Sequence, residues 1–145
     1  DQKDSIEHIR QLLEEMDVER IDHGTNVVED PDLVDFAAKK GVGFTSCPLS
    51  NSFVRPDMKG KEVVELLKKG VKVSINSDDP AYFGGYIVDN YYTIADKYDL
   101  TEAQVVQLAK NSFETSWISR EQKDLYLKEL ADYVKSADAK AVAED

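Results

Sequence analysis

The chain has 145 residues, of which 41% are apolar and 32% charged, and its formal net charge at pH 7 is −11. That acidity disfavours nucleic acid and anionic membrane surfaces as partners. There is no run of 18 apolar residues to span a bilayer, and the apolar fraction is that of a folded domain rather than a disordered chain.

A chain of this length is expected to form one compact domain over residues 1–145. Asp1-Gln2-Lys3-Asp4 has neither the basic nor the apolar region of a signal peptide, and the absence of a starting Met suggests a piece of something longer. The single cysteine, Cys47, excludes an internal disulfide and fits a reducing, cytoplasmic location.

Ile6, Ile9, Leu12, Leu13 and Met16 recur at helical spacing, predicting a helix over 5–17 with His8 structural or solvent-facing. Val18 to Ile21 reads as a short strand. Asp30 is a good N-cap with Pro31 at the first helical position. Leu33, Val34, Phe36 and Ala37 form the expected buried stripe of that helix, which Gly41 ends. Val42 to Thr45 reads as the second strand. Val63, Val64, Leu66 and Leu67 mark a third helix, closed by Gly70, and Val71 to Ile75 reads as the third strand.

Pro80 then stops regular continuation. Tyr91, Tyr92, Tyr98, Phe113 and Trp117 read as helix-packing aromatics. Thr101 to Gln104 is a capping box opening a helix with Val105, Val106, Leu108 and Ala109. Ser119 to Gln122 is another, opening a helix with Leu125, Tyr126, Leu127, Leu130 and Val134. The Ala- and acid-rich segment 136–145 is expected to fray.

Alternating helix and strand implies a parallel sheet, in which chemistry gathers at the carboxyl ends of strands. All three predicted strands end in polar, unusual sequence: Asp22-His23-Gly24, Ser46-Cys47-Pro48-Leu49-Ser50-Asn51 and Asn76-Ser77-Asp78-Asp79-Pro80. No comparable cluster precedes them. His23 can orient or deprotonate a water or simply bond a carbonyl at a strand end. Asp78 is a plausible ligand for a divalent metal, but one carboxylate does not make a zinc site. The chain's two histidines form neither His-x-His nor His-Glu-x-x-His. Cys47 has no histidine near it in sequence and reads as a packing and turn element rather than a nucleophile. Gly84-Gly85 permits unusual backbone angles or close approach and is not part of a phosphate-binding loop.

Together, Arg20-Ile21-Asp22-His23-Gly24, Cys47-Pro48-Leu49-Ser50-Asn51 and Asn76-Ser77-Asp78-Asp79-Pro80 resemble the adenosine/adenine deaminase family in order and spacing. The run Asn76 to Tyr86 and the Asp22 before His23 are most similar to the adenine deaminase branch. Leu108 to Phe113 is similar to a late helix of the family. The resemblance spans about Val18 to Val134. It implies an α/β fold, a (β/α)₈ TIM-barrel metal-dependent hydrolase, of which this chain supplies about the last three βα units plus the carboxyl-terminal helices.

It also implies one catalytic zinc and hydrolytic deamination of a small purine, adenine, with adenosine as the alternative substrate. Asp78 would be a zinc ligand. His23 would be a catalytic base or charge stabiliser beside the attacking water, and Asp79 would hold a ring nitrogen. Ser50 and Asn51 would be supporting residues. The family's histidine ligands and its general-acid glutamate are missing from this sequence, so the isolated chain is expected to be inactive and to hold one ligand of the metal. Its partners would be the remainder of the barrel or a second copy. A non-catalytic acidic α/β module is the reading from another class. A signalling receiver domain fits poorly, because its acidic pair follows the first strand and this pair follows the last.

Overall fold

A computed structural model describes residues 6–144 of the chain, with side chains described as far as residue 137. The chain divides into two compact units, one ending at Thr115 and the other starting at Ser116.

The first unit is built on three short parallel strands. Helix α1, Ile6–Glu14, precedes β1, Arg20–Ile21; α2, Pro31–Lys40, leads to β2, Gly43–Ser46. After β2 come α3, Pro48–Ser52, and α4, Gly60–Lys68, and then β3, Lys72–Ile75. The sheet order is β1-β2-β3, with Arg20 opposite Gly43 and Gly43 opposite Lys72. Strand β2 is therefore central, and all four of its residues are buried. Phe44, on β2, is the largest fully buried side chain. Around it pack Ile9 and Leu13 of α1, Leu33 and Val34 of α2, Val63 and Leu66 of α4, and Val73 and Ile75 of β3. Burying a side chain of that kind contributes roughly 1.5–3 kcal/mol.

The local signals act as expected at most helix ends. Asp30 accepts hydrogen bonds from the Asp32 and Leu33 N–H groups at 3.0 and 3.2 Å, and Arg10 reaches the same carboxylate. Gly41 closes α2 in the left-handed conformation, φ 76°. Gly70, φ 75°, follows α4, and the next N–H, that of Val71, returns to the Leu66 carbonyl at 3.0 Å. Thr101 and Gln104 form a reciprocal capping box at the start of α7, Glu102–Glu114. That helix packs Leu108 into the core and donates from Asn111 Nδ2 to the Val73 carbonyl of β3 at 2.8 Å.

Several expectations are corrected. The first helix ends at Glu14, and β1 is only two residues long. Phe36 is exposed rather than part of the α2 stripe, with the Lys40 ammonium over its ring. Strand β3 has already ended at Ile75, and Pro80, rather than only stopping regular structure, opens a one-turn helix, α5, Pro80–Phe83. Its fixed φ suits the first helical position, where no N–H is needed. The sequence reading placed no helix over 87–97, where α6, Ile87–Lys97, forms. It begins without a Ser, Thr, Asp or Asn N-cap. Asp89 instead accepts from the Tyr86 N–H at 2.7 Å. Tyr98 packs against the core and Tyr91 joins it, but Tyr92 is 75% exposed. A β- or aromatic-rich run does not by itself say which ring faces inward; helical phase does.

The second unit is one helix, α8, Arg120–Glu144, whose backbone stays helical through 136–144, where fraying was expected. The Gln122 N–H donates to Ser119 Oγ at 3.2 Å. Trp117, read as a packing aromatic, is 70% exposed. Among the described residues no helix is long and apolar enough to cross a membrane.

Candidate functional site

The carboxyl ends of β1, β2 and β3 open into one polar cleft of about 330 Å³, lined by Arg20, Asp22, His23, Thr45, Cys47, Asn76, Ser77 and Asp78. Parallel strands in register deliver this outcome, because the residue after each strand emerges at the same edge of the sheet. The three polar strand ends singled out in the sequence thus share one site.

His23 follows β1 with φ 62°, and Asp78 follows β3 with φ 57°. Neither is glycine, and a left-handed backbone costs a non-glycine residue about 1–3 kcal/mol. Neighbouring groups hold both in place. The His23 N–H donates to Thr45 Oγ1 at 2.7 Å. Gly24 continues the turn at φ 71°, where a Cβ would lie 2.7 Å from Ile21 Cγ2 and 3.1 Å from Phe44 Cδ1. The glycine after His23 is therefore demanded by both conformation and space. Ser50 Oγ donates to Asp78 Oδ2 at 2.7 Å, so α3 fixes the carboxylate at the end of β3.

His23 Nε2 lies 3.7 Å from Asp78 Oδ2, with side chains 34% and 26% exposed. His23 Nδ1 is buried without a hydrogen-bond partner among the described residues. One donor atom each from His23, Cys47 and Asp78 lies within 4.8 Å of the other two, so the trio could hold a metal ion. Burial pushes the Cys47 thiol up to about 12, the Asp78 and Asp22 charges adding to it and the Asp78 backbone N–H opposing it. A thiol so held is protonated at neutral pH and is not a nucleophile. That agrees with the turn-element reading, although nothing in the local sequence signals that Cys47 would face His23 and Asp78.

The other expected residues are placed differently. Asp79 is exposed and precedes α5, its carbonyl accepting from the Tyr82 and Phe83 N–H groups at 2.9 Å each; it is not among the residues lining the cleft. Asn51 is buried, its Nδ2 donating to the Met58 carbonyl at 3.4 Å. Gly84 adopts φ 76°, and a Cβ on Gly85 would lie 2.3 Å from Leu49 Cδ1. Each glycine of that pair thus has its own reason. His8 is exposed on α1, away from any role in the cleft.

Sequence reasoning missed Thr45, which anchors His23, and Asn90, whose Oδ1 accepts from the Leu49 N–H at 3.0 Å and braces α3. It also missed Arg20 as a cleft residue; its guanidinium pairs with Asp22 at 2.8 Å and donates to the Thr115 carbonyl at 3.4 Å. The alternation of β2 was the available signal for Thr45, since it sets Thr45 on the opposite face of the strand from the core residue Phe44.

Comparison with known proteins bears on this geometry. The family profile described as adenosine deaminase matches residues 2–134. An uncharacterized deaminase of Schizosaccharomyces pombe is 43% identical over 138 residues, 94% of this chain and 41% of that protein. A protein named adenine deaminase from Chlorobium luteolum is 41% identical over 133 residues, 90% of this chain and 39% of its own length. The crystal structure of an adenine deaminase from Arthrobacter aurescens superposes with a TM-score of 0.84 at 37% identity, covering 92% of this chain and 42% of that one. A Burkholderia amidohydrolase solved with bound zinc gives a TM-score of 0.87 at 21% identity over 100% of this chain and 41% of that one, which shows the fold alone. The chain thus spans about two fifths of the length of these relatives.

Proposed function

The chain belongs to the adenosine deaminase family, and we propose that it is the carboxyl-terminal part of a zinc-dependent enzyme that hydrolyses adenine to hypoxanthine and ammonia. Its fold is that of the α/β metal-dependent hydrolases related to the TIM-barrel amidohydrolases. In the proposal, the three βα units are the last of eight, the remaining units lie elsewhere in the full protein, and the enzyme works in the cytoplasm in purine salvage. The observation that carries it is the gathering of His23 and Asp78 at one sheet edge, 3.7 Å apart, in a chain whose named relatives are adenine deaminases.

The donor set fits zinc, since a carboxylate and an imidazole are ordinary ligands for it. Asp78 would hold the ion together with residues outside this chain. When bound, the ion supplies the Lewis acidity that lowers the pKa of the attacking water.

The roles of this chain's own residues follow from their places. Ser50 orients Asp78 by its 2.7 Å hydrogen bond. His23, anchored through Thr45, takes a proton from the water attacking C6 of the purine and stabilises the charge that develops there. Asp79 hydrogen-bonds a nitrogen of the purine ring from its exposed place beside the cleft, and Asn51, bonded to the Met58 carbonyl, braces helix α3, which carries Ser50. Ammonia release from adenine and from adenosine, at equal concentration and with the full-length protein, tests the reading. Faster release from adenine is expected. Faster release from adenosine overturns the adenine assignment, and no release from either overturns the deaminase reading.

A further inference from the structure

A lysine is almost never fully buried unless it is paired, and Lys59 is 1% exposed. Among the described residues it is the one charged side chain so deeply placed. Its ammonium donates to Oδ1 of Asn26, which is also buried. Burial pulls the Lys59 pKa down, with Arg55 adding to that pull and the Glu62, Glu29 and Asp57 carboxylates opposing it.

Asn26 lies three residues after His23, in the short 3₁₀ turn Thr25–Glu29 that Gly24 opens. The Val27 N–H returns to the Gly24 carbonyl at 3.0 Å, so a hold on Asn26 fixes the backbone that leaves His23. Thr45 takes the His23 N–H itself. The His23 turn is thus held at two points, one on β2 and one on Lys59.

Lys59 is a firm anchor because its own turn is braced. The Tyr98 hydroxyl donates to the Asp57 carbonyl at 2.5 Å, Lys97 Nζ donates to the Pro56 carbonyl at 2.6 Å, and the Lys59 N–H bonds Asp57 Oδ1 at 3.3 Å. Met58 and Lys59 both sit in the left-handed region, at φ 57° and 55°, a conformation that non-glycine residues keep only where the surroundings impose it. The Met58 carbonyl takes the Asn51 Nδ2 bond at 3.4 Å, and Asn51 stands in α3 next to Ser50, which anchors Asp78. One turn therefore reaches both arms of the site, Lys59 holding the His23 arm and Met58 the Ser50 arm.

We propose that Lys59 is a positioning residue, which through Asn26 sets where the His23 imidazole stands in the cleft. A buried charge is a poor means to stability, since apolar side chains of similar volume often do as well or better. What the bond to Asn26 adds is direction. The role rests on the reading of His23 as the group that takes a proton from the attacking water, and it adds no ligand to the metal and no contact to the purine.

The test compares the full-length protein with Lys59→Met, which keeps the length of the stem but cannot donate. In protein that circular dichroism shows to be folded, kcat for adenine is expected to fall about tenfold or more, because a misplaced general base loses much of its effect. KM is expected to stay within about twofold and zinc content to stay unchanged. Asn26→Leu should do the same, and the double variant should lose no more than either alone. Wild-type kcat in folded Lys59→Met, or losses that multiply in the double variant, overturns the proposal.

Should Lys59→Met fail to fold, Asn26→Asp and Asn26→Leu carry the test. The aspartate keeps an acceptor for the ammonium and should hold kcat near wild type, whereas the leucine should not; equal kcat in the two overturns the proposal. A readout that needs no turnover separates this inference from the deaminase reading. In the ¹⁵N spectrum of the histidine rings, the His23 signal is identified by its loss in His23→Gln, and it should shift in Lys59→Met and in Asn26→Leu. An unmoved signal overturns the positioning role even where ammonia is released. Absence of ammonia release from the wild type overturns the deaminase reading and leaves the shift to decide the place of Lys59.

Discussion

Thr45→Val should loosen the site without emptying the core. The two side chains have nearly the same shape, and Thr45 is buried on the central strand, so packing is conserved. What disappears is the acceptor for the His23 N–H at 2.7 Å. Losing a neutral hydrogen bond costs about 0.5–1.5 kcal/mol, and stranding a partly buried donor raises that to about 1–3 kcal/mol. His23 also sits at φ 62°, a conformation worth about 1–2 kcal/mol against a non-glycine residue, which Thr45 helps to offset. The expected loss is therefore near 2 kcal/mol.

With a urea m-value of about 2 kcal/mol/M, the unfolding midpoint, followed by far-ultraviolet circular dichroism, should fall by about 1 M. His23→Gly supplies the second arm. Glycine adopts the left-handed conformation without strain and lets the backbone relax toward solvent. In that background Thr45→Val should cost less, by a coupling of at least about 0.5 kcal/mol. A Thr45→Val midpoint equal to wild type, or strict additivity in the pair, would refute the argument that β2 holds His23 in place.

In the full-length protein, Asp78→Ala should lose both zinc and turnover, whereas His23→Ala should keep its metal, held by ligands from the rest of the barrel, and lose most turnover; metal analysis beside activity separates the two. Asp79→Asn should raise KM and lower kcat with metal content unchanged, because an amide cannot serve as an anion; wild-type kinetics would reduce Asp79 to a turn residue. Gly43→Ala places a Cβ 2.7 Å from Thr115 Cβ and 3.2 Å from Arg20 Cγ and should cost about 1–3 kcal/mol in a urea titration. Burial raises the Tyr91 phenol from 10.0 to about 12, so the folded chain holds this proton where the unfolded chain has lost it. The associated stability is present below pH 10 and is lost between pH 10 and 12, on the order of 2 kcal/mol. Tyr91→Phe should flatten that alkaline limb, and an unchanged limb would count against the burial argument.

The fold was legible where a residue type has a single physical use. Asp30-Pro31 can hardly do anything but open a helix, and Gly41 and Gly70 close theirs with the left-handed angles expected of them. The gathering of the three strand ends followed from the alternation of helix and strand, which implies a parallel sheet and needs no detail. Helical phase was less legible. Phe36 and Tyr92 are large and apolar enough for a core, yet each falls on the solvent side of its helix. Helix α6 was hidden because its cap is made by Asp89 reaching back to Tyr86 rather than by a residue with a strong N-cap preference.

Cys47 is where reasoning along the sequence fell furthest short, and the reason lies in how the fold brings the strand ends together. Local sequence offered a Cys-Pro turn with no histidine nearby, and as a nucleophile the thiol is indeed poor, since burial and two carboxylates hold its proton. Counting ligands along the sequence left Asp78 alone, with His23 assigned to proton transfer. Parallel strands place residues 23, 47 and 78 at one edge whatever their distance in sequence, and bring one donor atom of each within 4.8 Å of the other two.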